Sequence, residues 1–165
     1  MARRVLENRR ILLTGASRGV GRELALQLAR RHTRLLLVAR SGEVLQPLVA
    51  ELLSAGAKSA EALIGDVTRA EFRAEIIAKV QAEWQAIDVL VNNAGVSAHG
   101  HFDGHDEAIL RQIMEVNFYA PTELTRLSLP LLAQSDDALI VNLGSILGHR
   151  GMPFNSEYSA SKFAL

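Results

Sequence analysis

Five short apolar runs are spread along the chain: "RILLTG" (10–15), "RLLLVA" (34–39), "EALIGDV" (61–67), "IDVLVNN" (87–93) and "ALIVNLGS" (138–145). Runs of this length without polar alternation suit strands buried on both faces. Between them the spacing becomes helical. Val20, Leu24 and Leu28 stand four apart, as do Phe72, Ile76, Val80 and Trp84. Trp84, at the end of its stripe, reads as a core residue. Ile109, Ile113 and Val116 carry the same period into a long segment reaching about residue 133. Strand and helix in turn predict an α/β fold, a doubly wound parallel sheet with helices on both faces. No repeat or Pro/Gly/Ser-rich linker divides the 165 residues, so a single domain over 1–165 is expected. Ligands of such sheets bind beyond the carboxyl ends of the strands. The residues just after each apolar run are therefore the informative ones.

The first run ends in "TGASRGVG", with Gly15, Gly19 and Gly21 in the spacing G-x3-G-x-G and Ser17, Arg18 and Val20 between them. A glycine-rich turn from strand to helix lets the backbone approach a pyrophosphate. The helix N-terminus behind it offers free N–H groups and a favourable dipole. The spacing is not the G-x-G-x-x-G fingerprint, and a tight turn without ligand is the alternative reading. The second run ends in "VARS". Where an acid would hold the ribose hydroxyls of NAD, this chain has Ala39 followed by Arg40. With Arg18, two guanidiniums at the adenosine end suit a 2′-phosphate, which predicts NADP over NAD; the alternative is a pair of solvated surface arginines.

Eighteen basic residues balance eighteen acidic ones, so no overall field argues for nucleic acid or an anionic membrane as partner. The absence of cysteine excludes a disulfide framework and thiolate metal sites. No stretch approaches the ~20 apolar residues that cross a bilayer. The opening "MARRVLENRR" leads through only "ILL" into the glycine turn, too short a run for a signal peptide. It reads as a solvated basic arm on a soluble, cytoplasmic protein. His99, His101 and His105 cluster with Asp103 and Asp106, yet nothing in the local pattern would converge them on a metal. That segment is expected to be a loop bordering the substrate, with no metal.

"VNNAG" (91–95), together with the glycine turn and the closing "YSASK" (158–162), resembles the short-chain dehydrogenase/reductase superfamily, in its compact subtype, over residues 10–165. The resemblance implies a Rossmann-type domain that binds NAD(P) and an oxidoreductase that interconverts a small-molecule carbonyl and a secondary alcohol by hydride transfer. It implies that Asp66 and Val67 flank the adenine and that Asn93, Ala94 and Gly95 line the cofactor. Asn117, Ser145, Tyr158 and Lys162 would form a catalytic tetrad, Tyr158 and Lys162 also touching the cofactor. All four positions hold the residue types of the family, which disfavours an inactive relative. A non-catalytic NAD(P)-binding module, or an inactive fragment, is the alternative. The glycine spacing argues against an extended-type sugar-nucleotide epimerase or dehydratase.

The chemistry asks for these types. A free phenol titrates near pH 10, too high for a base near neutrality. An ammonium at about 4 Å in a partly screened site contributes about 4 kcal/mol, enough to bring Tyr158 toward the working range as acid and base. Ser145, ending its run, would hold the substrate oxygen; alone it would read as a turn or cap residue. Pro121, four residues after Asn117, supplies no N–H to the Asn117 carbonyl. That carbonyl is then free for a water, and the resembled family uses this asparagine in a water relay to the lysine.

The last apolar stripe has only begun, at Phe163, when the sequence stops without a capping residue. Members of the resembled family continue into two further strands, so a C-terminally truncated chain is expected. Its fifth strand would be an exposed edge with apolar surface turned to water. The full-length form would be a homo-oligomer pairing the long 106–133 helix with the helix that starts near 157.

Overall fold

A computed structural model describes residues 5–165. Five strands, β1 (Arg10–Thr14), β2 (Arg34–Ala39), β3 (Ser59–Ile64), β4 (Val89–Asn92) and β5 (Leu139–Asn142), form one parallel sheet in the order β3-β2-β1-β4-β5. Six α-helices connect or follow them: α1 (Gly19–Ala29), α2 (Gly42–Ser54), α3 (Ala70–Glu83), α4 (Glu107–Met114), α5 (Ala120–Leu132) and α6 (Ser156–Ala164). This is the doubly wound arrangement, with helices on both faces. The strand order reverses between β1 and β4, which opens a crevice at their carboxyl ends.

The continuous apolar runs are explained by two separate cores. Ile11, Leu13, Leu35 and Leu37 face α1 and α2, against Ala25, Leu45, Leu48 and Leu52. Leu12, Leu36, Val38 and Leu90 face the other way, against Phe72, Ile76, Val80, Leu124 and Leu131 of α3 and α5. Successive residues of a strand point to opposite faces, so every position must be apolar. Trp84 packs against the second core, partly buried.

Three expectations are corrected. The third strand is Ser59–Ile64 rather than 61–67, because Gly65 turns the chain away: a Cβ there would lie 2.3 Å from the Phe72 ring. The long 106–133 segment is not one α-helix. Between α4 and α5, residues Glu115–Tyr119 take a wider π-type turn, in which the Ala120 N–H donates to the Glu115 carbonyl. Pro121 stands at its exit, where a missing N–H favours a wider register. The basic arm is not simply solvated. Residues 1–4 lie outside the described residues, but Arg9 and Arg10 bind Asp88, a buried acid just before β4 that requires a counter-charge.

Helix α2, which contains Pro47, was not foreseen. The proline removes only the N–H that would return to Glu43, in the first turn, and Leu45, Leu48 and Leu52 still share one buried face. At the other margin β5, among the described residues, pairs only with β4. Leu139 and Ile140 are 40% and 38% exposed, while Val89 and Leu90 beside them are buried. Among the described residues no helix is long and apolar enough to cross a membrane.

Candidate active site

The turns leaving β1, β2, β3 and β4 enclose a cavity of about 320 Å³. Gly15, Ser17, Arg18, Gly19, Val20, Gly21, Arg40, Asp66, Val67, Asn93, Ala94 and Gly95 all line it. The structure thus gathers every residue that the sequence suggested for a cofactor, apart from Tyr158 and Lys162. Val38, Ala39, Gly65, Val96 and Val116 complete the wall.

The glycines divide by task. Gly15 has φ +68°, and a Cβ on it would lie 2.7 Å from the Ala94 Cα. A Cβ on Gly21 would lie 2.3 Å from the Gly15 carbonyl oxygen and 2.4 Å from Asn93 Nδ2. These two let the turn lie on the exit of β4. Gly19 has φ +56° with nothing near its missing Cβ, so it leaves open wall. Asn93 fastens the contact, donating from Nδ2 to the carbonyls of Thr14 (3.0 Å) and Gly15 (2.9 Å). Thr14 Oγ1 accepts the N–H groups of Asn93 and Ala94, at 3.1 Å each. Gly21→Ala should therefore cost about 1–3 kcal/mol by overpacking and push the Asn93 amide off the turn. Urea unfolding with a parallel cofactor titration checks this, and unchanged stability would contradict it.

Beyond β3, Asp66 Oδ1 accepts the Thr68 N–H (3.0 Å) and hydroxyl (2.9 Å), shaping the turn into α3. Arg73 was missed by sequence reasoning. It is a buried guanidinium on α3 whose Nη1 donates to the carbonyls of Val67 and Thr68, at 2.7 Å each, holding this wall in place. Its only sequence signal was a position adjoining the Phe72–Ile76 stripe. A second recess, of about 400 Å³, adjoins the cavity and is lined by Ser17, Arg18, Arg40, Ser41 and Val44. Among the described residues neither Arg18 nor Arg40 has an acidic partner.

Tyr158 and Lys162 are half-buried one turn apart on α6. Lys162 Nζ lies 5.9 Å from the centre of the Tyr158 ring and donates to the Leu143 carbonyl at 2.6 Å. The ammonium is thus anchored on the exit of β5, two residues before Ser145. Burial pushes Lys162 below the ordinary lysine range. Ser145 Oγ accepts the Leu147 N–H at 3.1 Å, the capping role that was its alternative reading. Its loop lies against α6, since a Cβ on Gly148 would fall 2.5 Å from the Lys162 carbonyl oxygen.

Asn117 sits in the π-type turn and is 1% exposed. Its Oδ1 accepts the Val96 N–H, and its Nδ2 donates to the Val96 carbonyl and to Ser161 Oγ, all at 2.9 Å. Ser161 in turn donates to the Tyr158 carbonyl at 2.7 Å. Asn117 therefore joins the cavity wall at Val96 to the helix that carries Tyr158 and Lys162. Ser161 was not foreseen, although it lies inside the "YSASK" stretch. The histidines diverge. His99 and His101 flank the Phe154 ring, at 5.7 and 4.8 Å between centres, while His105 Nδ1 meets Glu157 Oε1 at 3.0 Å. Among the described residues no three His, Asp or Glu side chains are grouped to hold a metal.

Comparison with known proteins places these features in context. A family model described as short chain dehydrogenase matches residues 9–165. The ketoacyl reductase HetN of Nostoc sp. is 38% identical over 160 residues, covering 97% of this chain and 55% of the relative. A hydroxysteroid 11-beta-dehydrogenase 1-like protein of Xenopus tropicalis is 37% identical over 161 residues, covering 97% of this chain and 56% of the relative. The chain thus spans about half the length of these curated relatives. Among solved structures, an alcohol dehydrogenase from the archaeon Thermococcus sibiricus, complexed with 5-hydroxy-NADP, superposes with a TM-score of 0.90 at 30% identity. That match covers 96% of this chain and 67% of the other.

Proposed function

The chain belongs to the short-chain dehydrogenase family, and on that premise we propose that it forms the cofactor-binding portion of an NADP-preferring oxidoreductase that interconverts a carbonyl and a secondary alcohol. The observation that carries this reading is the connection from cavity to helix. Val96 lines the cavity and bonds Asn117, Asn117 bonds Ser161, and Ser161 holds the carbonyl of Tyr158. A phenol and an ammonium are thereby mounted beside a cleft that could take a dinucleotide.

A bound nicotinamide would supply or accept the hydride. The residues of the chain do the rest. The glycine turn and the N-terminus of α1 would hold its pyrophosphate. Asp66 and Val67 would border its adenine, and Asn93, Ala94 and Gly95 continue the wall toward Asn117. Tyr158 gives its phenolic proton to a carbonyl oxygen, or takes one from an alcohol. Ser145 donates a hydrogen bond to the same oxygen. Lys162 keeps its positive charge beside the ring by regaining, through a water on the Asn117 carbonyl, each proton that it gives to the phenolate.

Arg18 and Arg40 are the basis for NADP. They are exposed, lack acidic partners among the described residues, and share one recess with the hydroxyls of Ser17 and Ser41, a set matched to a phosphate rather than to ribose hydroxyls. Arg40→Asp should weaken NADPH binding by about 10- to 100-fold while changing NADH little. Equal loss for both cofactors would remove the NADP assignment. Turnover with a panel of ketones and alcohols tests the activity itself. Tight cofactor binding without turnover would favour a non-catalytic binding module.

A further inference from the structure

Helix α6 carries two pairs of residues four apart, offset by one position. Tyr158 and Lys162 form one pair. Glu157 and Ser161 form the other and are buried, at 3% and 0% exposure. One residue is a step of about 100° around a helix, so the buried second pair is turned by that angle from the half-buried first pair. Ser161 is tied to Asn117. Glu157 is tied to His105, across 52 residues of sequence.

Both ends of that second tie are built in. The Glu157 carboxylate accepts the Ser156 hydroxyl at 2.8 Å on one oxygen and lies 3.0 Å from His105 Nδ1 on the other. Burial pushes the acid toward protonation, but hydrogen bonds from its own amide, His105 and Ser156 outweigh this and hold it below the ordinary glutamate range. An ionised carboxylate only accepts, so Nδ1 of His105 carries the proton. His105 is itself largely buried and immediately precedes Asp106, which caps α4 by accepting the Ile109 N–H at 3.0 Å. The contact thus links the start of α4 to the start of α6. The same two segments meet again just upstream. The Phe154 carbonyl accepts the Gly100 N–H at 3.0 Å, and the Phe154 ring is held by His99 and His101 with its backbone at φ +65°. A bulky residue keeps such a φ only where its surroundings impose it.

A buried polar pair adds little net stability compared with apolar groups of the same volume; its best-attested use is to specify geometry. From this placement we infer that His105 and Glu157 are a positioning pair for Tyr158. They lock the first turn of α6 onto α4, while Asn117 and Ser161 lock the next turn. Tyr158 stands between the two locks, its ring beside the Lys162 ammonium that is anchored on the exit of β5. The inference rests on the reading of Tyr158 as proton donor and acceptor.

The test compares Glu157→Ala, Glu157→Gln, His105→Ala and the double alanine variant in the full-length protein. Glu157→Ala is expected to lower kcat by about 100-fold, the cost of a small misplacement, with KM for NADPH unchanged within about twofold. Glu157→Gln keeps an acceptor for the His105 N–H and should recover most of the rate. The double alanine variant should be no slower than either single one, because both remove the same contact. Equal losses in Gln and Ala, or a loss that merely follows the folded fraction, would overturn the inference. Amide hydrogen exchange of the cofactor-free protein gives a readout independent of turnover. Exchange at residues 157–161 should rise in Glu157→Ala and stay native in Glu157→Gln, and unchanged protection in the alanine variant would also overturn it. If the native protein shows no nicotinamide-dependent turnover while exchange behaves as expected, the pair is supported as a lock on α6 and the oxidoreductase reading fails.

Discussion

Tyr158→Phe is expected to reduce kcat by about 10²- to 10⁴-fold, the range supplied by a positioned general acid–base group, while leaving NADPH affinity within about twofold. The substitution removes one hydroxyl and nothing that mounts the helix. The locks on α6 run through Glu157, Ser161 and Lys162, and the hydrogen bond that reaches Tyr158 itself uses its carbonyl oxygen. Phenylalanine keeps the ring that lies beside the Lys162 ammonium. Thermal unfolding should accordingly change little, and a loss of rate would then report chemistry rather than folding. Steady-state turnover at saturating NADPH, with a fluorescence titration of the cofactor, makes the measurement. Full retention of kcat would remove Tyr158 as the proton donor and with it the proposed mechanism.

The second large effect lies at the opposite ends of the strands. Asp88 is 2% exposed, just before β4. It accepts the Arg10 N–H (2.8 Å), two guanidinium N–H groups of the same residue (2.9 Å each) and the Ser135 hydroxyl (2.6 Å), with Arg9 at 3.4 Å. These contacts join the beginnings of β1 and β4 to the turn before β5. Burial alone would favour the neutral acid, but the side-chain and backbone hydrogen bonds from Arg10, with Ser135, hold the carboxyl well below the usual carboxylate range. Asp88→Ala leaves Arg10 without its partner and should cost about 3–5 kcal/mol, a large share of the 5–15 kcal/mol typical of a domain. Cofactor affinity of the folded variant should be unaffected, since the cavity lies at the carboxyl ends of the strands.

The pH dependence has a definite sign. The folded state depresses the Asp88 pKa, so its contribution is complete above the unfolded value near pH 4 and is lost as the pH falls from about 5 toward the lower native value. Urea unfolding of native protein and Asp88→Asn at pH 7 and at successively lower pH should show the gap between them narrowing in acid. A gap independent of pH would mean that Asp88 stabilises by shape and not by charge.

Much of the architecture was legible because it follows from local pattern. Leu12 and Leu13 must both be apolar when each faces a different helical layer, so five unbroken runs announce a sheet covered on both sides. Gly15, Gly19 and Gly21 mark a turn that other residues would block or strain, and their place after β1 locates the cleft. The seven cavity residues read from the first two turns, and the five that the family resemblance added, are adjacent to strand ends, and strand ends converge in any sheet of this topology. Helix α2 was not singled out, although its stripe of Leu45, Leu48 and Leu52 is intact around Pro47. The strand β3 was misplaced by three residues at its far end, because Gly65 serves the Phe72 ring and not the strand.

What the sequence determined by itself is therefore the sheet covered on both faces, the glycine turn after its first strand and the placement of Tyr158 and Lys162 on one face of a helix. Each depends on period or on the conformational limits of single residues. Only the tertiary structure decided that Asp88 holds Arg10, that Arg73 holds the wall beside Val67, that Asn117 reaches Ser161 and that His105 locks Glu157. These are buried polar groups whose partners lie far away in sequence, except for Arg73, which reaches back only five and six residues to the carbonyls of Thr68 and Val67. A buried donor or acceptor must find a partner, but the pattern of a sequence records only that a face is hidden. Which group meets which is settled when the layers close on one another.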